Sequence, residues 1–281
     1  MEIKKETQRQ IITFLIILTI ISTGGFFWLF NDPENFESIG FVMMYVPGVS
    51  ALLSSLLLRK KLSSYGWRLG KLKYLGWAYL LPLVVAIVAY GLVWFSGFVE
   101  FSPEEVQNYR WARYIGFALP APFMAGFVSK AVLGTLIGAL YTFGEELGWS
   151  GYLTPKLLKV KSIPATSLIV GIIWSVWHYP AIIGGLYGVG TPLWVSLPAF
   201  TLSFIGVSFI RTVLISKSKS LWVGVILHSS HNMILMSMFW EMTVREGIAS
   251  YLVSETGIVI AFIYILVGIL FWRIYQKKPT V

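Results

Sequence analysis

Apolar residues run along this chain in stretches of about twenty, cut by short clusters of charge. A bilayer core about 30 Å thick takes roughly 20 helical residues at about 1.5 Å each. The pattern therefore predicts membrane spans near residues 11–30, 38–58, 74–98, 123–154, 163–182, 193–215, 220–240 and 256–275. The fourth is too long for one perpendicular crossing, so it must tilt or extend into the cytosol. No small-residue cleavage site follows the first run, which reads as a retained span. The expected fold is all-α: a polytopic transmembrane helix bundle of about eight spans, forming a single membrane domain over 1–281.

The loops between these runs alternate in charge. One side holds Lys4, Lys5 and Arg9, then Arg59, Lys60, Lys61, Arg68, Lys71 and Lys73. It also holds Lys156, Lys159, Lys161, Arg211, Lys217, Lys219, Arg273, Lys277 and Lys278, which brings it to 18 of the 22 basic residues. The other side receives Asp32, Glu34, Glu37, Glu100, Glu104, Glu105, Glu241, Glu246 and Glu255, with Arg110, Arg113 and Arg245. Lys130, near the outer end of the fourth run, is expected to snorkel outward. Deleting one span would scramble this segregation, and the positive-inside rule then places both termini in the cytoplasm of a cell-membrane protein.

Composition agrees: 56% of residues are hydrophobic and only 12% charged, where a soluble domain carries about a quarter. The net charge of +9 is spread over short loops rather than gathered in a patch, so nucleic acid is not an expected partner; the lipid bilayer is. The chain has no cysteine, which excludes disulfides, thiolate metal sites and cysteine nucleophiles. Residues 99–122 read as an amphipathic helix at the outer interface, ahead of a Pro-Ala-Pro turn at Pro120 to Pro122. Gly134 with Gly138, and Gly144 with Gly148, are spaced for close helix packing.

Ionisable residues at bilayer depth are costly and functional by default. Besides Lys130 there are five: Glu145, Glu146, His178, His228 and His231, which include every histidine of the chain. Glu145 and Glu146 are adjacent and point about 100° apart, so one faces a reacting centre while the other braces a neighbouring helix. His228 and Asn232 share a helix face. Counted from Lys161, His178 falls nearer the outer side than the other candidates, so the fifth span must tilt or start deeper. Trp174, Trp177, Trp194 and Trp222 read as interfacial belts or packing, and Ser229 and Ser230 as helix-packing residues.

The lone aspartate, Asp32, is in a loop, which excludes an intramembrane aspartyl dyad, and a His-Glu-x-x-His zinc helix is absent. Gly148-Trp149-Ser150-Gly151 matches a rhomboid-type Gly-x-Ser-Gly turn, a weak four-residue signal. Three longer patterns carry more. The run from Gly144 to Leu153 resembles the Glu-Glu-x-x-x-Arg motif of the type II CAAX prenyl endopeptidase and bacteriocin-processing family of intramembrane glutamate proteases. Trp174 to Pro180 resembles its Phe-x-x-x-His motif, with Trp174 in place of Phe, and His228 to Asn232 its His-x-x-x-Asn motif. Order and spacing agree across a catalytic core from about 120 to 240. One position departs: Ser150 stands where the family has arginine, too short to reach a distant partner.

The resemblance implies an endopeptidase in which Glu145 and His178 activate a water, His228 and Asn232 stabilise the oxyanion, and Glu146 supports the site from behind. It also implies a prenylated or other membrane-associated peptide substrate, entering a cavity open to the cytosolic leaflet. The same side chains suit zinc, but the oxyanion role needs no metal, and no cofactor is expected. Two other readings stay open: a scaffold or bacteriocin-immunity protein on the same fold, and a proton-coupled transporter. The transporter is disfavoured by the lack of internal repeats.

Overall fold

The computed structural model describes residues 2–102 and 126–276. Among these the regular structure is helical, and the one isolated β pairing is an antiparallel bridge between Phe101 and Thr243. The main helices are α1 (Glu2–Asn31), α2 (Phe36–Leu57), α3 (Leu72–Phe95) and α4 (Gly126–Leu157). They continue with α5 (Ile163–Ile183), α6 (Leu193–Ser218), α7 (Trp222–Ser230) and, after the short helix Ala249–Val253, α8 (Ile258–Gln276). Within lipid every backbone group must be satisfied inside its own segment, so apolar runs become helices even across Pro47, Pro82 and Pro198. Where a helix starts near water the usual signals return: Ser162 caps α5, accepting from the Ala165 N–H at 3.4 Å.

Among the described residues, seven helices are long and apolar enough to cross a membrane. The eighth expected span, 220–240, is helical but changes character, with α turns over Trp222–Ser230 giving way to π turns over His231–Phe239. Neither piece alone is long enough to cross. Two further π segments, Ser129–Gly134 and Trp149–Leu153, interrupt α4. The expected amphipathic helix at 99–122 lies almost wholly outside the described residues.

The two ends of the bundle differ in charge. At one end Lys60 pairs with Glu6 at 2.7 Å, Gly66 O accepts from Leu221 N at 2.9 Å, and the Trp222 indole donates to Trp67 O at 2.7 Å. These contacts join the start of α1 to the basic loops 58–71 and 217–221; Phe271 against Trp77 brings in the end of α8. The opposite end carries Asp32, Glu34, Glu37, Glu100, Glu246 and Glu255. Two basic residues depart from expectation. Lys130 does not snorkel but is buried and paired with Glu241. Arg211 is not in a basic loop; it lies inside α6 and is 1% exposed.

Glycines set the helix spacing. A Cβ on Gly144 would meet Tyr45 Cα at 2.7 Å, and one on Gly148 would meet Pro47 O at 2.6 Å, so this pair seats α4 on α2. A Cβ on Gly138 would meet Ser229 Oγ at 2.6 Å, which seats α4 on α7. Gly206 against Tyr264, and Gly171 against Ile205, hold α6 between α8 and α5. In consequence 67% of the most apolar window of α6 is buried, against 17% for α1: α6 is central and α1 peripheral.

Candidate active site

The Glu145–Glu146 pair splits as its helical geometry requires. Glu145, 2% exposed, accepts on Oε2 from two indoles, Trp174 Nε1 at 2.7 Å and Trp149 Nε1 at 3.1 Å. Its other oxygen is left for a ligand. Glu146 is fully buried and turns to α6, where Arg211 Nη1 stands 3.2 Å from Oε1. Ser150 Oγ donates to Glu146 Oε2. Ser150 thus reaches its own carboxylate one turn away, and a guanidinium still faces that carboxylate, delivered by α6 rather than by position 150. Arg211 is held by Ser208 Oγ at 2.9 Å and lies over the Trp174 ring, 4.3 Å from its centroid.

Each histidine has a defined edge. His178 Nδ1 lies 3.0 Å from the Trp174 carbonyl oxygen. A carbonyl only accepts, so Nδ1–H faces it, and Nε2 is the nitrogen left for a ligand. The ring is caged by Trp177, Phe200 and Phe204, with centroids 4.8, 5.3 and 5.3 Å away. His228 Nδ1 is 3.2 Å from Glu146 Oε1 but off the line that a hydrogen bond needs, and its ring meets the edge of Trp174. Nε2 is the nitrogen that His228 can offer a ligand.

Glu145, His178, His228 and Asn232 line one cavity of about 400 Å³. Phe26, Phe36, Phe41, Tyr187 and Phe204 line it as well. Glu146 stands behind this surface. The third histidine, His231, turns away: Nδ1 is 2.7 Å from the Tyr264 hydroxyl and Nε2 is 3.3 Å from Glu255 Oε1. The walls lie towards the acidic end of the bundle, not towards the basic end as expected. An apolar groove of about 350 Å³ adjoins the cavity, sharing Met44, Tyr141 and Asn232 with it.

Three contributors escape sequence reading. Trp174 is a hydrogen-bond donor to Glu145 rather than belt or filler. Arg211 balances Glu146 from 65 residues away. Glu255 lines the cavity and accepts from Tyr187. Burial, with Glu255 adjacent, pushes the Tyr187 phenol well above its ordinary range, so it remains a donor. The donor set does not fit zinc. Among the described residues no three of His, Asp and Glu converge as ligands, and Glu146 already faces a cation.

Residues 127–234 match the family model described as Type II CAAX prenyl endopeptidase Rce1-like. The chain is 26% identical over 234 residues to CAAX prenyl protease 2 of Methanococcus maripaludis, an alignment that covers 77% of this chain and 78% of that one. These matches bear out the resemblance carried by the three motifs. They support a membrane endopeptidase, a hydrolase acting on peptide bonds.

Proposed function

We propose that this chain hydrolyses a peptide bond of a membrane-anchored substrate by a glutamate and histidine mechanism that needs no metal. One observation carries the proposal: Glu145, His178, His228 and Asn232, from three helices, line the same cavity. The free oxygen of Glu145 and Nε2 of His178 hold a water, and Glu145 takes its proton as the water oxygen adds to the scissile carbonyl carbon. His228 and Asn232 donate to the oxyanion. When the tetrahedral adduct collapses the C–N bond breaks, and the proton passes from Glu145 to the amine nitrogen. Glu146, fixed by Arg211 and Ser150, sets the position of His228. The adjoining apolar groove suits the lipid of a prenylated or otherwise lipidated peptide, in keeping with the name of the Methanococcus relative.

The test is turnover of a fluorogenic farnesylated CAAX peptide by detergent-solubilised protein, with and without a chelator. Glu145→Gln is expected to lose about 10²–10⁴-fold in kcat, and His228→Ala about 10²–10³-fold. Ser150→Ala, which removes one of the two supports of Glu146, should stay within about tenfold of wild type, since one hydrogen bond to a charged group is worth about 1.5 kcal/mol. Full turnover in Glu145→Gln, or loss of turnover on chelation, would sink the mechanism.

A further inference from the structure

Beyond the motif residues the cavity has another largely enclosed carboxylate. Glu255 lines it together with Glu145 and His178, from the turn between the short helix Ala249–Val253 and α8. Its side chain is 14% exposed. Oε2 accepts from the Tyr187 hydroxyl, and Oε1 lies 3.3 Å from His231 Nε2. The Tyr264 hydroxyl, 2.7 Å from His231 Nδ1, can fill that nitrogen and leave the single ring proton on Nε2 for Glu255. His231 thus meets both partners as a neutral imidazole, and the carboxylate keeps its charge. Among the described residues His231 is the one ion-pair partner of Glu255, and no lysine or arginine lines the cavity.

Other contacts already hold this turn. The Tyr90 hydroxyl donates to Val253 O at 2.7 Å. The hydroxyls of Thr191 and Thr256 are 3.1 Å apart. Gly188, at φ +64°, sits so close to Thr256 that a Cβ there would meet Cγ2 at 2.6 Å. The loop after α5, which carries Tyr187, is therefore clamped to the turn without help from Glu255. A carboxylate is costly at bilayer depth and functional by default, and this one faces a space for a ligand. It also stands close to the chemistry: the Tyr187 ring is 5.8 Å from the His178 ring between centroids, so one phenol separates Glu255 from that imidazole.

We infer that Glu255 is a specificity residue, which takes a lysine or arginine side chain of the peptide close to the scissile bond. About three extended residues, at about 3.3 Å each, cover the interval from His178. A cleft lined by carboxylates concentrates positive groups, and a charged N–H donor gives the bond direction. The inference rests on the protease reading for the peptide.

The test uses farnesylated fluorogenic peptides that differ at one position. Lysine or norleucine is placed in turn at each of three residues on either side of the cleaved bond, and kcat/KM is measured in detergent. At one position lysine should be favoured about ten- to a hundredfold, and Glu255→Gln should bring that ratio close to one. A residue that only braced α8 would lower both peptides alike. An unchanged ratio in Glu255→Gln, or no lysine preference at any position, therefore overturns the inference. If Glu255→Gln does not fold, Tyr187→Phe decides, because it removes a donor that competes for the carboxylate: a steeper lysine preference supports the inference, an unchanged or weaker one overturns it. Where wild type cleaves none of the peptides, their binding is read by tryptophan fluorescence instead. A lysine preference in binding that Glu255→Gln abolishes keeps the subsite while the protease reading falls; no such preference overturns both.

Discussion

Glu145 is held by aromatic N–H groups, and this makes Trp174 a testable support. Trp174→Phe keeps a ring for Arg211 and His228 to pack on but removes the 2.7 Å hydrogen bond to Glu145. A hydrogen bond to a charged group is worth about 1.5–3 kcal/mol, so kcat should fall about ten- to a hundredfold with the fold intact by thermal unfolding. An unchanged kcat would leave Trp174 as packing only. Arg211 carries a different prediction. Arg211→Met leaves Glu146 buried without its cation, at a cost of about 3–5 kcal/mol, and a lower Tm in detergent should show it. Adding Glu146→Gln should recover much of that loss, because the two sites interact directly; simple additivity would mean that the pair does not couple. Neither residue was legible in this role. Arg211 is close in sequence to Lys217 and Lys219 and reads as part of their loop, and the target of an indole N–H is fixed only by tertiary contact. The motif residues were legible because each sits alone as a polar group in an apolar run.

At the scale of helices, the runs of apolar residues mark the spans because lipid forces backbone hydrogen bonds to be internal. The glycine spacings in α4 mark close contacts for the same reason, although spacing cannot say which neighbour each pair meets. Gly144 and Gly148 meet α2, and Gly138 meets α7. Gly148→Ala would drive a Cβ to 2.6 Å from Pro47 backbone atoms, which cannot swing aside as a side chain end would. Overpacking of this kind costs about 1–3 kcal/mol, and it would shift the helix that carries Glu145. A lower Tm with reduced turnover is expected; an alanine variant with wild-type Tm would refute the tight α2–α4 seam. The π turns were not legible. They depend on how α4 and the run after α7 must rotate to meet their neighbours, and they fall where the site needs it: Trp149 and Ser150 lie on one, His231 and Asn232 on another.

Across the whole molecule, the matched stretch 127–234 carries the chemistry but not the enclosure. The cavity wall needs α1 and α2, and Glu255 comes from the connection into α8. From the sequence His178 stands nearer the acidic end of its span than Glu145 does, and the cavity wall is built at that end, so the offset is part of the architecture. The peripheral α1 should therefore matter to catalysis without touching substrate chemistry. Its Phe14 is fully buried against Trp149, edge to face at 6.0 Å between centroids, and Trp149 holds Glu145. Phe14→Ala should cost about 3–5 kcal/mol of stability through the cavity it leaves. It should also lower kcat well below the unfolding temperature, because the indole loses its backstop, while KM for the peptide changes little. Phe14→Leu, which refills part of the space, should retain more of both. A Phe14→Ala protein with lowered Tm and unaltered kcat would show that α1 stabilises the bundle without setting the geometry at Glu145.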